Sequence, residues 1–229
     1  MKKNIFIACD TAKIAKLKKI IKNTKTNKIN IFYKIGIEFF NSKQGRSFIS
    51  SLKKEVLFLD LKLNDIPQTV FSAILSLKDL KNIRYITVHT SGGFEMLKAA
   101  KKAVKKINRK IKLLGVTVLT SFSEKSLKQT GHTKKIKNIV LLQAKLAKKA
   151  GLDGIICSGH EAKIIKNIYK KMEIITPGIR LPGDRKEDQK RVLTPKRAFL
   201  NGATGIVIGR SITKGNIKNN IQKLIKSLN

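Results

Sequence analysis

Eight short, nearly continuous apolar or β-branched runs punctuate this chain, and no other feature limits its fold as tightly. They are Asn4–Asp10, Ile31–Gly36, Val56–Lys62, Tyr85–Thr90, Leu113–Leu119, Gly154–Ser158, Glu173–Gly178 and Gly205–Gly209. Runs without polar alternation are what parallel strands buried on both faces require. Between them lie segments whose apolar residues recur at helical spacing, such as Phe94, Leu97, Ala100 and Val104. Another carries Leu141, Ala144, Leu146 and Ala147 and stops at Gly151, as a helix C-terminus would. Strand–helix alternation repeated eight times within 229 residues predicts a closed α/β structure, a single (β/α)8 TIM barrel. An open doubly wound sheet is the alternative, but no G-x-G-x-x-G follows any of the runs. Gly178 and Gly183 have P-loop spacing, yet Asp184-Arg185 replaces the Lys-[Ser/Thr] that a nucleoside triphosphate site needs.

Charge is the feature most apt to mislead. Fifty Lys and Arg against 14 Asp and Glu give a formal net charge of +36, which invites a nucleic-acid or membrane-surface reading. The distribution argues otherwise, because lysines fall on nearly every predicted helix and in most loops rather than in one stripe or tail. Aromatic residues make up only 6% of the chain, so a base-stacking platform has little material. The charge therefore reads as a lysine coat. It predicts salt-dependent, non-specific attraction to polyanions, with no specific nucleic-acid partner. No run approaches the roughly 18 apolar residues of a membrane span, and no membrane partner is expected. The apolar stretch after Lys2-Lys3 meets Asp10 too soon for a signal peptide, which points to a first buried strand in a cytoplasmic protein. Cys9 and Cys157 offer neither a disulfide framework nor metal spacing, and His89, His132 and His160 are dispersed, so no metal site is expected.

Barrels of this kind place their chemistry where strands end and βα loops converge. Strand one ends in Asp10, strand two carries Lys34, and strand three ends in Asp60-Leu61-Lys62 and runs on to Asp65. Strand four ends in His89, strand five in Thr120-Ser121, strand seven in Arg180, and strand eight in Gly209-Arg210. In a strand of period two, Asp60 and Lys62 share a face, here the barrel mouth, where Lys34 and Asp10 extend an array of alternating charge. Taken singly, Asp10 and Asp65 read as helix caps, the latter because Ile66-Pro67 sets proline in a first helical turn. Asp60 and Lys62 lie inside an apolar run, where a purely structural ion pair seldom improves on apolar packing, so they read as functional. Leu181 to Arg191 is a long, charged loop that reads as a mobile lid. Gly209-Arg210-Ser211 precedes the last helix, in the region where such barrels commonly bind phosphate, and Arg180 and Arg210 are the candidate clamp, with Gln189 reaching in from the lid.

These residues, in this order, resemble the orotidine 5′-phosphate decarboxylase family across essentially the whole chain. The strongest match is Asp60-Leu61-Lys62-Leu63-Asn64-Asp65-Ile66-Pro67-Gln68-Thr69, which resembles the family's D-x-K-x-x-D-I-P-x-T pattern. Lys34-Ile35-Gly36, His89-Thr90-Ser91-Gly92-Gly93, Leu119-Thr120-Ser121, Thr176-Pro177-Gly178-Ile179-Arg180, Asp188-Gln189-Lys190-Arg191 and Ile208-Gly209-Arg210 support it. D-x-K-x-x-D is shared with sugar-phosphate decarboxylases and hexulose-phosphate synthases that typically use magnesium. The Ile-Pro-x-Thr continuation and the lid residues favour the orotidylate branch. Two departures stand out: Asn64 where many bacterial members have histidine, and a more charged lid at Arg185-Lys186-Glu187.

The resemblance implies one barrel domain over residues 1–229 that decarboxylates orotidine 5′-monophosphate to uridine 5′-monophosphate without a cofactor. It implies Lys62 as the proton donor to C6, Asp60 beside the substrate carboxylate, and Lys34 holding the carboxylates in place. Asp10 would bind the ribose hydroxyls, Thr120 and Ser121 the pyrimidine edge, and Arg180, Gln189, Gly209 and Arg210 the phosphate. Asp65, Ile66 and Thr69 would reach into a neighbouring subunit's site, implying a homodimer with shared active sites. The positive surface would help attract the phosphorylated substrate.

Overall fold

The computed structural model describes residues 2–107, 110–184 and 191–228. Its eight strands pair in sequence order, all parallel, and the last returns to the first, so the sheet is a closed barrel. The strands are β1 (Asn4–Ala8), β2 (Asn30–Gly36), β3 (Leu57–Leu63), β4 (Ile83–His89), β5 (Lys112–Val116), β6 (Gly154–Ile156), β7 (Glu173–Thr176) and β8 (Gly205–Ile208). Most finish earlier than their apolar runs suggest. Asp10, Leu119 and Gly178 lie past the last paired residue, because the chain there turns outward to form the rim.

The helices are α1 (Ile14–Thr24), α2 (Ile37–Phe40), α3 (Gly45–Ser51), α4 (Pro67–Leu75), α5 (Gly93–Lys106), α6 (Glu124–Lys128), α7 (Ile136–Lys149), α8 (Gly159–Ile168), α9 (Pro195–Leu200), α10 (Arg210–Thr213) and α11 (Ile217–Ser227). Each βα unit has its helix, while α2, α6 and α10 are short additions that the eightfold pattern does not foretell. The turn α10 stands between Gly209 and the last helix, where a direct connection was expected.

Local chemistry sets several helix ends. Gly151 follows α7 with φ +77, its N–H bonding to Lys148 O at 3.0 Å while the next N–H, from Leu152, reaches Ala147 O at 3.0 Å. This pair of bonds needs a left-handed residue, which glycine supplies without a Cβ clash. Pro67 and Pro195 open α4 and α9 from the first turn, where no N–H is needed. The expected caps at Asp10 and Asp65 are not formed. The cap position of α1 is Lys13 and that of α4 is Ile66, neither with a side-chain cap bond. Asp65 instead accepts a 2.7 Å bond from the adjacent Ile66 N–H.

Period-two alternation divides the strand residues between two cores. Ile5, Ile7, Tyr33, Ile35, Leu57, Leu59, Ile86 and Val88 face outward and pack under the helices. Phe6, Phe58, Tyr85, Leu114, Val116, Ile156, Ile175 and Val207, with Phe32 against them, fill the barrel lumen. The four aromatic rings form one layer: Phe6 stacks on Phe32 at 4.9 Å and meets Phe58 and Tyr85 edge-on at 5.4 and 5.0 Å. Aromatic edges carry partial positive charge and faces negative, so this geometry adds attraction to the area buried. The layer closes the lumen and forms the floor on which polar residues of the same strands stand.

Phe6→Ala should remove the ring common to three of these contacts and lower stability by about 3–5 kcal/mol, read from chemical denaturation midpoints. A loss below about 1 kcal/mol would mean that the layer is not a packing unit.

Candidate functional site

One step up from the aromatic floor, the same lumen-facing positions become polar. Two residues beyond Phe32 comes Lys34, two beyond Phe58 comes Asp60, two beyond Tyr85 comes Thr87, and two beyond Ala8 comes Asp10. Asp10, Lys34 and Asp60, with Thr87 buried behind them, border a cavity of about 590 Å³ at the C-terminal end of the barrel. This is within the range of roughly 300–1,000 Å³ that small ligands occupy.

The charges form a chain. Lys34 Nζ lies 3.2 Å from Asp10 Oδ1 and 3.3 Å from Asp60 Oδ2, and Lys62 Nζ lies 2.7 Å from the same Asp60 oxygen. Asp60 and Lys34 are buried, Lys62 is partly exposed, and Asp10 stands at the open rim. Burial by itself raises the Asp60 pKa, but the Lys34 and Lys62 ammonium groups, with hydrogen bonds from Lys62 and Thr87, outweigh it and hold the carboxyl below its ordinary range. Burial likewise depresses Lys34, and the charges of Asp60 and Asp10 more than reverse it, keeping its pKa above the usual lysine value. Asp60 and Lys34 therefore both carry charge at neutral pH. His89 lies nearby, and burial together with the Lys62 ammonium pushes its pKa down, leaving the imidazole neutral at that pH.

Asp60 and Lys62 do share the mouth, but not through the regular pleat expected of them. Leu59 pairs with Ile86 and Leu63 with Val88, so four steps along β3 are matched by two along β4. The excess forms a bulge, and within it Lys62 adopts φ +48, the one positive φ at a non-glycine residue among those described. A left-handed conformation costs such a residue about 1–2 kcal/mol and persists only where its surroundings hold it. Thr87, opposite the bulge, accepts a 2.9 Å bond from the Lys62 N–H and donates a 3.0 Å bond to Asp60 Oδ1.

The rim of the cavity at the ends of β7 and β8 is cationic. Arg180 follows β7, its N–H bonded to Leu193 O at 3.0 Å and its Nη1 donating to Ile179 O at 3.1 Å. Gly178, with φ +75, turns the chain so that its own carbonyl accepts from Leu193 N–H at 3.1 Å, and the two ends of the β7–α9 connection are clasped. Arg191 completes the clasp through a salt bridge with the buried carboxylate of Glu161 at the start of α8. Gly209 and Arg210 border the cavity where β8 meets α10, with Thr120 and Ser121 beyond β5.

Of the residues singled out from sequence, Asp10, Lys34, Asp60, Lys62, Thr120, Ser121, Arg180, Gly209 and Arg210 come together around this cavity. Asp65, Ile66 and Thr69 do not. They lie exposed on the segment entering α4, with Ile66 at 66% exposure. Gln189 lies outside the described residues, as does most of the expected lid. Lys16 from α1 and Thr213 and Lys214 from the α10 turn also border the cavity, and the sequence reading missed them. Nothing local distinguishes Lys16 or Lys214 among so many lysines. Thr87 was also missed, although the recurring step from aromatic to polar residue at spacing two marks it. Cys157 borders the cavity as a buried thiol whose pKa burial pushes up to about 12, so it is uncharged. Among the described residues, no three His, Cys, Asp or Glu side chains gather as a metal site would require, and no helix is long and apolar enough to cross a membrane.

A profile of the orotidine 5′-phosphate decarboxylase / HUMPS family matches residues 3–223. The orotidine 5′-phosphate decarboxylase of Buchnera aphidicola subsp. Schizaphis graminum is 48% identical over 199 residues, covering 85% of this chain and 83% of the relative. That of Fusobacterium nucleatum is 41% identical over 232 residues, covering 100% of this chain and 96% of the relative. Among solved structures, orotidine 5′-phosphate decarboxylase from Lactobacillus acidophilus superimposes with a TM-score of 0.85 at 34% identity, covering 100% of both chains.

Lys34→Met should leave the Asp60 carboxyl buried with one ammonium fewer, so that it titrates at higher pH than in the native protein. Stability at neutral pH should fall by about 3 kcal/mol, the lower end for breaking a buried pair because Lys62 remains. A depressed carboxyl pKa contributes stability above its unfolded value, and that contribution is lost as pH falls through the folded one. The unfolded state cancels in the comparison, so the difference between variant and native should shrink as pH falls through the raised Asp60 pKa of the variant toward the lower one of the native protein. Carboxyl NMR titration with denaturation at several pH values tests both. An unmoved Asp60 would show that Lys34 does not set its charge state.

Proposed function

Since the chain belongs to the orotidine 5′-phosphate decarboxylase / HUMPS family, we infer that it converts orotidine 5′-monophosphate to uridine 5′-monophosphate and CO2, a step of pyrimidine biosynthesis, by a cofactor-independent route. The observation that carries the reading is the Asp10–Lys34–Asp60–Lys62 array in the lining of a cavity that Arg180 and Arg210 also border, from the ends of β7 and β8. An array of fixed charge suits the reacting end of the substrate, and paired guanidinium groups suit its phosphate.

The chemistry asks for a particular charge distribution. As the C6–carboxylate bond breaks, its electron pair stays at C6, in the plane of the ring and without a conjugated sink. The Lys62 ammonium stabilises that charge as it develops and then quenches it, giving the C6–H bond of the product and a neutral amine that solvent reprotonates. Asp60 lies beside the substrate carboxylate. The repulsion between them raises the ground state but fades in the transition state, where the charge has moved from the carboxylate to C6. Lys34 holds Asp60 ionised and fixes both Asp60 and Asp10 in place, and Asp10, at the rim, takes the ribose hydroxyls. Thr120 and Ser121 contact the pyrimidine edge.

The phosphate is remote from the bond that breaks. Arg180, Arg210 and the backbone at Gly209 hold it, joined by Gln189, and the binding energy drives closure and loss of water around the charges. Asp65, Ile66 and Thr69, exposed on their own barrel, complete the site of a second copy, so the working unit is a homodimer with shared sites in the cytoplasm. The exposure of Ile66 on this surface supports that reading.

The reaction is tested by the ultraviolet change on adding orotidine 5′-monophosphate, with and without a chelator. Turnover unaffected by the chelator is expected, and abolition by it would move the chain to the magnesium-using branch. Lys62→Ala should fold and lose nearly all activity. Mixing Lys62→Ala with Asp65→Ala chains should restore some, since a mixed dimer regains one intact site. Normal turnover by folded Lys62→Ala would remove it as proton donor, and no recovery on mixing would argue against shared sites.

Arg210→Ala should lower kcat/KM by roughly 100-fold or more, whereas in the native protein phosphite dianion should partly restore turnover of a substrate truncated at the phosphate. Unchanged kcat/KM on the full substrate would take Arg210 out of the phosphate site.

A further inference from the structure

We propose that Thr87 is a positioning residue for this reaction, its single hydroxyl holding the Lys62 backbone and the Asp60 carboxylate in their working geometry. The proposal rests on the reading of Lys62 as proton donor. Thr87 is fully buried in β4, between the register points Ile86 with Leu59 and Val88 with Leu63 that bracket the β3 bulge. Its hydroxyl accepts from Lys62 N–H at 2.9 Å and donates to Asp60 Oδ1 at 3.0 Å. The direction of each bond follows from its partner, because a backbone N–H can only donate and an ionised carboxylate can only accept.

The two bonds have separate consequences. The first satisfies the N–H that the bulge withdraws from the ladder between β3 and β4, and so supports the left-handed backbone of Lys62. That backbone sets where the Lys62 side chain leaves the strand. If the residue relaxed to extended φ, its Cβ would swing and the ammonium would lose its place. The second bond holds one oxygen of Asp60, leaving the other to Lys62 Nζ at 2.7 Å and Lys34 Nζ at 3.3 Å. One side chain thus ties the acid and its neighbouring carboxylate to a common anchor.

The strand itself does not call for a hydroxyl here. Thr87 is flanked by Ile86 and Val88, and valine has the same shape and suits a strand as well. What valine lacks is the donor and acceptor pair, so Thr87→Val isolates the two bonds.

The experiment compares native protein with Thr87→Val and Thr87→Ser in four measurements: kcat and KM for orotidine 5′-monophosphate, Kd for uridine 5′-monophosphate, deuterium wash-in at C6 of that product, and hydrogen exchange of the Lys62 amide. Thr87→Val is expected to lower kcat by about 10–100-fold, the usual range for a group that orients another, with product Kd changed by less than about threefold. Wash-in should fall by the same factor as kcat, because it reads proton transfer at C6 alone, and the Lys62 amide should exchange faster. Thr87→Ser keeps the hydroxyl and should recover most of the rate. If Thr87→Val does not fold, Thr87→Cys makes the comparison, since a thiol is a poor acceptor and donor.

Folded Thr87→Val or Thr87→Cys protein with native kcat and wash-in would overturn the proposal. So would a kcat loss matched by loss of product affinity and left unrescued by serine, which is the pattern of general structural damage. Failure of the native protein to turn over the substrate would instead count against the functional reading, and the Lys62 amide would then decide whether Thr87 holds the bulge.

Discussion

A carboxylate nearly sealed from water has to be compensated where it stands, and much of this barrel is arranged around that demand at Asp60. Taking an ion of this size out of water costs several kcal/mol even after relaxation. Here the compensation comes from three strands. Lys34 arrives from β2, Lys62 from a bulge in β3 itself, and the Thr87 hydroxyl from β4. Each contact is directional, so the three strands must keep their register for the charge to be tolerated. The aromatic layer of Phe6, Phe32, Phe58 and Tyr85 sets the depth at which these groups stand and fills the lumen beneath them. The low-dielectric floor also strengthens every interaction above it.

The same arrangement separates two kinds of work across one cavity. On one wall, opposite charges alternate and are locked by mutual contact, which suits a reaction whose charge must move a short distance without waiting for groups to reorient. Elsewhere on the rim, Arg180 and Arg210 stand where β7 and β8 deliver loops rather than packed side chains. The clasp formed by Gly178, Leu193 and the Glu161–Arg191 pair gives the β7–α9 connection a fixed root.

The lysine coat is a separate matter from the site. Helices α1, α4, α7 and α11 have no acidic residue in their first turn, and among the described residues exposed pairs such as Arg46–Asp79 are few for so many cations. Such a surface repels itself. The two apolar cores, one in the lumen and one under the helices, must offset that repulsion. Of the 14 acidic residues in the chain, Asp10 and Asp60 border the cavity.

The amino-acid sequence by itself determined the eight strands, their alternation with helices, and the polar residues that each strand carries to its end. These are local properties: period two along a buried strand, period 3.6 along a helix, glycine past a C-terminus and proline in a first turn. Asp10, Lys34, Asp60, Arg180 and Arg210 were legible for that reason, and the closed order of strands followed from their number and monotony. Tertiary structure alone decided the rest. The β3 bulge exists because Leu59 and Leu63 pair with residues only two apart on β4, a mismatch between segments that neither segment encodes alone. It determines how Lys62 reaches Asp60 and why Thr87 matters. Lys16 and Lys214 join the rim only because α1 and the α10 turn both reach the same cavity, and Asp65 and Ile66 stay outside that cavity, exposed at the entry to α4. A strand's face can be read from its own residues, but a register slip and a convergence of loops are settled by what lies on the neighbouring strand.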